Sequence, residues 1–338
     1  MRRKKRKIGL FSLLLVMFII FWGGKAYYSN QIQPVNKSGN KEIFIDIPKG
    51  ASTSVIAHIL KENDLIRNEL AFRISSKLMK SDGKMKAGKY LLSDNMTVNE
   101  MIDILVDGKV LKDTVRVTIP EGFEFRQIVD RLSAKGLIDH DKFIEVADSY
   151  DFDYRFLEGI PKGKNRLEGF LFPDTYEIPN SADEKAIIDL MLKRFDDVFK
   201  EKYYQRADEL NMSIHEVITL ASIIEREAKL EKERPIISSV FHNRLNKGML
   251  LQSCATVQYI LGERKQNLTL KDIAIDSPFN TYKNIGLPPT PIASPGKLSI
   301  EAALYPEDTE YLYFVLKKDG EHAFSKTYDE HLRAKNGN

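Results

Sequence analysis

The stretch "LASIIEREAKLEKERP", which begins at Leu220, opens as an apolar run and then places two glutamates, Glu225 and Glu227, where the helix pattern continues. At 100° per residue on a helix, Leu220 and Ile224 share one stripe, and Glu227 points into that stripe. Glu225 is displaced by about 160° from Glu227. Lys229, four residues after Glu225, is a local ion-pair partner for it. The spacing therefore predicts that Glu227 is the carboxylate on the more apolar face.

A glutamate on an apolar face is costly unless it is paired or protonated. One interpretation is a salt bridge to a cation from elsewhere in the chain, because Glu231 at i+4 is a like charge and Arg234 precedes Pro235, where helices usually end. The other is a carboxyl whose pKa is raised by apolar surroundings, as a general acid near neutral pH requires. Glycosidic bond cleavage is a frequent use of such a group. Periodicity leaves both interpretations open.

Two similar stretches upstream predict a duplicated module. "IFIDIPKGASTSVIAHILKENDLI" begins at Ile43, and "VRVTIPEGFEFRQIVDRLSAKGLI" begins at Val115. Each pattern is typical of an alternating strand, a Pro-x-Gly turn and two helices. A closing strand follows from Tyr90 in one copy and from Tyr176 in the other, which leaves 14 extra residues in the second copy. Inserted loops often have a function of their own, and this one falls around "RFLEGIPKGKNRLEGFLFPDTY".

The strand–helix–helix–strand order resembles LysM-type modules, which bind glycans that contain N-acetylglucosamine. Many small α+β units share this order, so the first copy is either a glycan-binding module or a spacer. The predicted fold class is α+β, with a transmembrane helix, a partly duplicated LysM-like module and an α+β catalytic domain. The predicted boundaries are 1–7 basic segment, 8–28 transmembrane anchor, 29–42 linker, 43–112 LysM-like module, 113–200 second module with insertion, and 201–338 catalytic domain.

The N-terminus combines a basic cluster with an apolar run. Residues 1–7 contain six basic residues and no acidic one, and residues 8–24 contain no charge. Those 17 residues would span about 26 Å as a helix, against a bilayer core of about 30 Å. The pattern predicts a single-pass protein of the cell membrane, with a cytoplasmic N-terminus and an extracytoplasmic catalytic domain. A cleaved signal peptide is the alternative, although no A-x-A site follows the run.

Composition excludes several classes of function. Without residues 1–7 the chain has 45 basic against 48 acidic residues, which is a poor match for nucleic acid. The lone cysteine, Cys254, permits no internal disulfide, and the six histidines are scattered without the spacing of a metal site. The sequence therefore predicts no metal, no cofactor and no nucleic-acid partner.

From about Ile43 to the C-terminus the chain resembles the endolytic murein transglycosylase (YceG-like) family. Six segments, in the family's order, are the basis of this resemblance. They are "GFLFPDTY" at 169–176, "LASIIERE" at 220–227, "ERPIISSVFHNRLNKGMLLQSCATVQY" at 233–259, "SPFNTYKNIGLPPTPIASPG" at 277–296, "SIEAALYPEDTEYLYFV" at 299–315 and "HAFSKTYDEH" at 322–331.

The resemblance implies a lytic transglycosylase that cleaves peptidoglycan strands internally, between N-acetylmuramic acid and N-acetylglucosamine, and leaves 1,6-anhydro-muramyl ends. It implies that Glu227 is the catalytic residue, in agreement with the helical pattern. It also implies a role in limiting strand length during wall synthesis, with penicillin-binding synthases and the elongation or division machinery as partners. A non-catalytic peptidoglycan-binding scaffold and a hydrolytic muramidase are the alternatives.

The polar and aromatic residues of the matching segments are predicted to bind the sugar. Hydroxyl groups need polar side chains, and sugar rings pack on aromatic faces. The candidates are Glu225, Asn243, Gln252, Asn280 and Tyr282, although Asn280 could cap a turn and Tyr282 could belong to the core. The proline-rich "GLPPTPIASPG" is too stiff for a helix and is expected to form a fixed wall.

The chain departs from the family pattern at two positions. Cys254 stands where the family often has Asp, and Thr290 stands where it often has Gly. A carboxylate role at position 254 is therefore not transferable. Since no nearby histidine supports a nucleophilic thiol, Cys254 is predicted to be a small buried residue.

Overall fold

The structure is a computed structural model that describes residues 17–18, 22–39, 41–108, 114–265 and 267–337. The chain divides into two compact units, Met1–Thr114 and Val115–Asn338.

The first unit is built around one pair of antiparallel strands. Strand β1 pairs with β2, and Ile45 lies opposite Tyr90. Alternate residues of β1 are buried, as expected for a strand with one face on a core. The elements are α1 (residues 22–31), β1 (Glu42–Ile47), α2 (Thr53–Glu62), α3 (Glu69–Leu78), β2 (Gly88–Ser93) and α4 (Val98–Asp107).

The prediction of a transmembrane anchor over residues 8–28 is wrong on this structure. Among the described residues, no helix has both the length and the apolar character that crossing a bilayer requires. The predicted single-pass location in the cell membrane is wrong for the same reason. Residues 1–16 and 19–21 lie outside the described residues.

The second unit begins with the same order of elements as the first. Strand β3 pairs with β4, and two helices lie between them in sequence. The 14-residue insertion falls between the second of these helices and β4, and it includes a 3-10 helix at Arg155–Leu157. The predicted strand–helix–helix–strand order is therefore confirmed in both copies. The elements are β3 (Thr114–Thr118), α5 (Phe125–Ala134), α6 (His140–Ser149), β4 (Thr175–Pro179) and α7 (Glu184–Val198).

The remainder of the second unit is mostly helical. A hairpin, β5 with β6, follows the helices and is closed by a turn at Gly320, whose φ is +88°. The elements are α8 (Glu201–Glu209), α9 (Ile214–Glu227), a 3-10 helix (Glu231–Glu233), α10 (Arg234–Asn246), α11 (Cys254–Leu261), α12 (Leu270–Ile273), α13 (Lys297–Leu304), β5 (Tyr313–Leu316), β6 (His322–Ser325) and α14 (Tyr328–Asn336).

Helix α9 is the centre of this part of the fold. Every residue from Val217 to Ile224 is buried, and the helix packs against α8, α10, α11 and α13. The helix ends at Glu227, whereas the sequence predicts an end just before Pro235. Pro235 does not end this helix but lies in the first turn of α10, where proline is tolerated because the first N–H groups of a helix have no intrahelical acceptor.

An aromatic cluster stabilises the second unit. The ring of Phe195, on α7, is fully buried and lies 4.5 Å from Phe156, 5.4 Å from Phe170 and 5.5 Å from Phe199. Two of these partners, Phe156 and Phe170, belong to the insertion or border it. The cluster thus joins the inserted segment to α7.

We expect Phe195→Ala to lower the free energy of unfolding by about 3–5 kcal/mol, because it removes a buried ring and leaves a cavity. Urea unfolding of the full chain measures this change. Leu270→Ala is the control, since Leu270 is 83% exposed and its replacement should change stability by no more than about 0.5 kcal/mol. Equal effects of the two substitutions would contradict a structural role for the cluster.

Candidate active site

Three consecutive charged residues end helix α9. Glu225, Arg226 and Glu227 follow its fully buried portion. Carboxylates at the C-terminal end of a helix are opposed by the helix dipole, so each needs a compensating partner. The three side chains find partners in different segments of the chain, and the candidate site is built from these contacts.

Glu227 is held at the beginning of helix α11. Its Oε1 accepts a hydrogen bond of 2.5 Å from Ser253 Oγ and a longer one of 3.4 Å from the backbone N–H of Ala255. Ser253 precedes α11 directly, so the carboxylate lies at the positive end of that helix dipole. Glu227 is half-buried. The apolar enclosure predicted for it ends one turn earlier, at Ile224.

The partner of Glu227 is itself fixed by a buried hydroxyl network. Ser253 is 3% exposed, and its backbone N–H donates to Thr281 Oγ1 at 3.0 Å. The Oγ1 atoms of Thr256 and Thr281 are 2.9 Å apart. This network joins the start of α11 to the segment that contains Asn280 and Tyr282. Sequence reasoning missed Ser253 and Thr281, although a serine directly before a helix is a common N-cap signal.

Two side chains lie at the open side of Glu227. The Tyr282 hydroxyl is 3.1 Å from Cys254 Sγ. Partial burial, the neighbouring thiol and the charge of Glu227 together raise the pKa of Tyr282, so the phenol stays protonated. Burial of its sulfur and the charge of Glu227 also raise the pKa of Cys254, against the hydrogen bond from Tyr282. Cys254 is exposed as a residue, so the prediction of a small buried residue is wrong.

Gln252 adjoins this group. It is exposed, and its backbone has φ of +53°, a left-handed conformation that is costly for a residue with a side chain. The strain is held by a backbone hydrogen bond from Gln252 to the Thr281 carbonyl at 3.0 Å. The buried guanidinium of Arg244 donates to Gln252 Oε1 at 3.4 Å. Of the predicted binding residues, Tyr282 is the one that interacts with the charge of Glu227, and Gln252 is exposed and directly precedes Ser253, which binds Glu227.

Glu225 lies in a buried ion pair. Its side chain is 7% exposed, and its Oε1 accepts from Arg234 Nη2 at 3.3 Å. The other oxygen accepts from the backbone N–H of Gly296 at 3.0 Å. The ion-pair partner is Arg234, where the sequence predicts Lys229. Both carboxylate oxygens are engaged within the protein, so Glu225 supports the fold of the site.

Asn243 and Asn280 also have structural roles. Each amide donates from Nδ2 to two backbone carbonyls, and Asn280 is fully buried. Such an amide has its donors already used and holds a loop in place. The acceptors are Thr309 at 2.8 Å and Tyr311 at 3.0 Å for Asn243, and Ile273 at 2.9 Å and Ile275 at 2.7 Å for Asn280.

Arg226 links α9 to the second copy of the module. It forms an ion pair of 3.0 Å with Glu124, and both side chains are almost fully buried. Just before Glu124, the Pro-x-Gly turn forms two backbone hydrogen bonds with Ser294, one through the N–H of Gly122 and one through the carbonyl of Phe123. The turn of the second copy therefore helps to build the site.

The proline-rich segment packs as a rigid wall on α9. The backbone N–H of Ile292 donates to Ser222 Oγ at 3.0 Å, and that of Gly296 donates to Glu225. A Cβ added at Gly169, whose φ is +86°, would lie 2.5 Å from Pro291. Only glycine allows this close approach. The predicted fixed wall is confirmed as a feature of the fold, and its contact with substrate stays a prediction.

A second buried carboxyl, Glu168, lies outside this group. It is 2% exposed, and it accepts hydrogen bonds from the Phe125 N–H at 2.9 Å and from Tyr259 OH at 3.0 Å. Burial, reinforced by the charge of Glu124, raises its pKa to about 8. Sequence reasoning missed Glu168, although it adjoins the "GFLFPDTY" segment. Across the residues that the structure describes, no group of three or more acidic, histidine or cysteine side chains could hold a metal ion.

The raised pKa of Glu168 makes stability depend on pH. The folded state favours the protonated carboxyl, so stability is greatest below the unfolded pKa near 4.3 and is lost as pH rises towards 8. Between pH 5 and 8.5 the wild type should lose roughly 3–4 kcal/mol that Glu168→Gln does not lose, because each pKa unit corresponds to about 1.4 kcal/mol.

Urea unfolding at several pH values measures this difference. Glu145→Gln is the matched control, since Glu145 is exposed on α6, and it should follow the wild type. A wild type and a Glu168→Gln variant with the same pH dependence would mean that Glu168 is ionised in the folded protein.

Comparisons with known proteins agree with the family suggested by the sequence. The model of the YceG-like family matches residues 45–337. A protein of Bacillus subtilis (strain 168), named endolytic murein transglycosylase, is 38% identical over 94% of this chain and 90% of its own length. A protein of the same name from Streptococcus pneumoniae serotype 2 (strain D39) is 30% identical over 97% of this chain and 64% of its own length.

A solved structure is similar as well. The 2.6 Å crystal structure of a YceG-like protein from Listeria monocytogenes superposes with a TM-score of 0.57 at 37% identity. The similarity covers 87% of this chain and 99% of the other. With most of the chain matched by the family model and by these relatives, the prediction from the sequence is confirmed: the protein belongs to the YceG-like family.

Proposed function

We propose that the protein is a lytic transglycosylase that cleaves the glycan strands of peptidoglycan internally, between N-acetylmuramic acid and N-acetylglucosamine. The observation that supports this most directly is one half-buried carboxylate, Glu227, held through a single oxygen at the open end of α11. The curated relatives are named endolytic murein transglycosylases, which is the class predicted from the sequence.

Glu227 acts first as an acid and then as a base. Its protonated Oε2 donates to the glycosidic oxygen while the bond from that oxygen to C1 of the muramyl residue breaks. The carboxylate then takes the proton of the muramyl C6 hydroxyl as that oxygen bonds to C1. The product is a 1,6-anhydro ring, no water is consumed, and Glu227 ends protonated as it began.

The contacts around Glu227 suit both steps. Ser253 and the Ala255 N–H bind Oε1, so they orient the carboxyl and stabilise the negative charge that appears after the first proton transfer. We assign the binding of sugar hydroxyls or the packing of a sugar ring to Tyr282 and Gln252. The interaction of Tyr282 with Glu227 and the position of Gln252 directly before Ser253 support this assignment.

A second carboxylate, which ordinary glycosidases use as nucleophile or base, is not available from Glu225. Both of its oxygens are engaged by Arg234 and Gly296. This favours a nucleophile supplied by the substrate over a hydrolytic muramidase. We further propose that such cleavage limits strand length during wall synthesis, with penicillin-binding synthases and the elongation or division machinery as partners.

Glu227→Gln should lower the rate of strand cleavage by about 10²–10⁴-fold, because the amide can neither donate nor accept the transferred proton. Mass spectrometry of uncrosslinked strands treated with the full chain measures the rate and the product. New muramyl ends should be lighter than hydrolytic ends by one water. Hydrolytic ends would indicate a muramidase. Strands that are bound but not cleaved by the wild type would indicate a scaffold protein.

Ser253→Ala should lower kcat by about 10–100-fold, because it removes a hydrogen bond to a charged carboxyl. The Ser253 side chain makes no cap hydrogen bond to α11, so the helix keeps its end. Ser253→Thr retains the hydroxyl and should restore most of kcat, with KM little changed in either variant. A purely structural role of Ser253 is indicated if the threonine variant is as slow as the alanine variant.

A further inference from the structure

A cavity lies at the other end of α9 from Glu227. It has a volume of about 490 Å³ and lies between the inserted segment (residues 155–166), the first residues of α9 and the prolines that begin the wall segment. Residues 213–215 are at this end, and Glu227 is the last residue of the same helix. From Ile214 to Glu227 the helix rises by about 20 Å along its axis.

One residue that lines the cavity, Arg166, is buried, and one of its N–H groups has no hydrogen-bond acceptor among the described residues. Arg166 is 6% exposed. Its Nη1 donates to the Tyr150 carbonyl at 2.9 Å, whereas its buried Nε has no hydrogen-bond partner among the described residues. Leaving a buried charged donor unpaired is costly. The Nε is enclosed by protein and does not face the cavity, so a ligand there would offset the cost through its negative charge beside the guanidinium.

Of the charged side chains that line the cavity, some already form ion pairs within the protein and others do not. Arg155 and Lys162 form ion pairs of 2.8 and 2.9 Å with Glu201 and Asp151. In the described part of the chain, Lys164 and Arg166 have no carboxylate within ion-pair distance, although Asp148 interacts electrostatically with both and Asp151 with Arg166. The acidic residue of the lining is Glu158. Burial lowers the pKa of the remaining titratable side chain, His215, so its imidazole is neutral at neutral pH.

The first turn of α9 lines the same cavity through Ser213, Ile214 and His215. The N–H groups of Ile214 and His215 have no acceptor within the helix. The capping box between Ser213 and Glu216 uses the Glu216 and Ser213 N–H groups, so it leaves these two unused. Helix N-termini favour anions. The unpaired Arg166 and the helix end therefore point to the same kind of ligand.

We propose that this cavity binds a carboxylate of the peptides attached to the glycan strand, an inference that rests on the proposed function. The wall segment extends from the cavity, at Pro289 and Thr290, along α9 to Gly296 beside Glu225. An extended peptide of five residues reaches about 17 Å, comparable with the length of α9. A peptide on a strand bound at Glu227 can thus approach Arg166. A phosphate has the same oxyanion chemistry, and the test separates the two.

Cleavage kinetics of the full chain test this site with two substrates. One is peptide-bearing strands, and the other is strands from which an amidase has removed the peptides. Arg166→Gln should raise KM for peptide-bearing strands about tenfold, as expected for the loss of a charge-assisted contact, and leave kcat unchanged. Lys164→Gln should have a smaller effect of the same kind, and since Lys164 is exposed the substitution does not endanger folding. Neither variant should change KM for stripped strands.

Lys335→Gln, an exposed substitution on α14, is the control and should behave as the wild type. Equal changes in KM for both substrates would overturn the proposal. A second outcome would also overturn the proposal. If inorganic phosphate inhibits the wild type but not Arg166→Gln, and removal of the peptides leaves KM unchanged, the site binds a phosphate group and not a peptide carboxylate.

Calorimetry of peptide binding tests the cavity independently of strand cleavage, so it distinguishes an error in the proposed site from an error in the proposed function. Peptides released by the amidase are titrated into the wild type and into Lys164→Gln. Binding by the wild type that weakens in the variant supports the site even if no strand is cleaved. Absence of binding to the wild type overturns it even if strands are cleaved.

Discussion

The candidate site depends on one constraint, which is that a helix whose middle, from Val217 to Ile224, is fully buried ends in three consecutive charges. Each of Glu225, Arg226 and Glu227 must be compensated, and each draws a different segment to the end of α9. Arg234 and Gly296 hold Glu225, Glu124 holds Arg226, and Ser253 holds Glu227. The wall, the turn of the second module and the start of α11 are located by these contacts.

The helical pattern of the sequence predicts different surroundings for the two glutamates, but it places Glu227 on the more apolar face, whereas the enclosed side chain in the structure is that of Glu225. A displacement of about 160° between Glu225 and Glu227 implies different surroundings, and the structure has one carboxylate in a closed ion pair and the other at an open helix end. The partner of Glu225 could not be predicted, because Arg234 becomes available only when α9 stops at Glu227 and a new helix begins. Lys229, the expected partner, depends on a helix that continues.

The binding residues were harder to predict for a related reason. A polar side chain in a matching segment serves the ligand or the backbone, and its type alone does not say which. The amides of Asn243 and Asn280 donate to loop carbonyls, whereas Gln252 contacts Arg244 and Tyr282 contacts Cys254, so substrate binding by Gln252 and Tyr282 stays a prediction. The sequence did not predict the roles of Ser253, Thr281 and Glu168, because these roles depend on neighbours that are distant in sequence. The duplicated strand–helix–helix–strand order was predictable, since the spacing of apolar residues within each short segment indicates whether it forms a strand or a helix.

The residues at the end of α9 are far in sequence from the residues that they contact, and this separation matters during biosynthesis. Glu225 bonds to a residue 71 positions later, and Arg226 to one 102 positions earlier. Contacts between such distant positions require the closure of long loops, which slows folding, and a chain leaves the ribosome from its N-terminus. The site cannot assemble until Gly296 has emerged, so an incomplete chain that ends before this point lacks the geometry around Glu227.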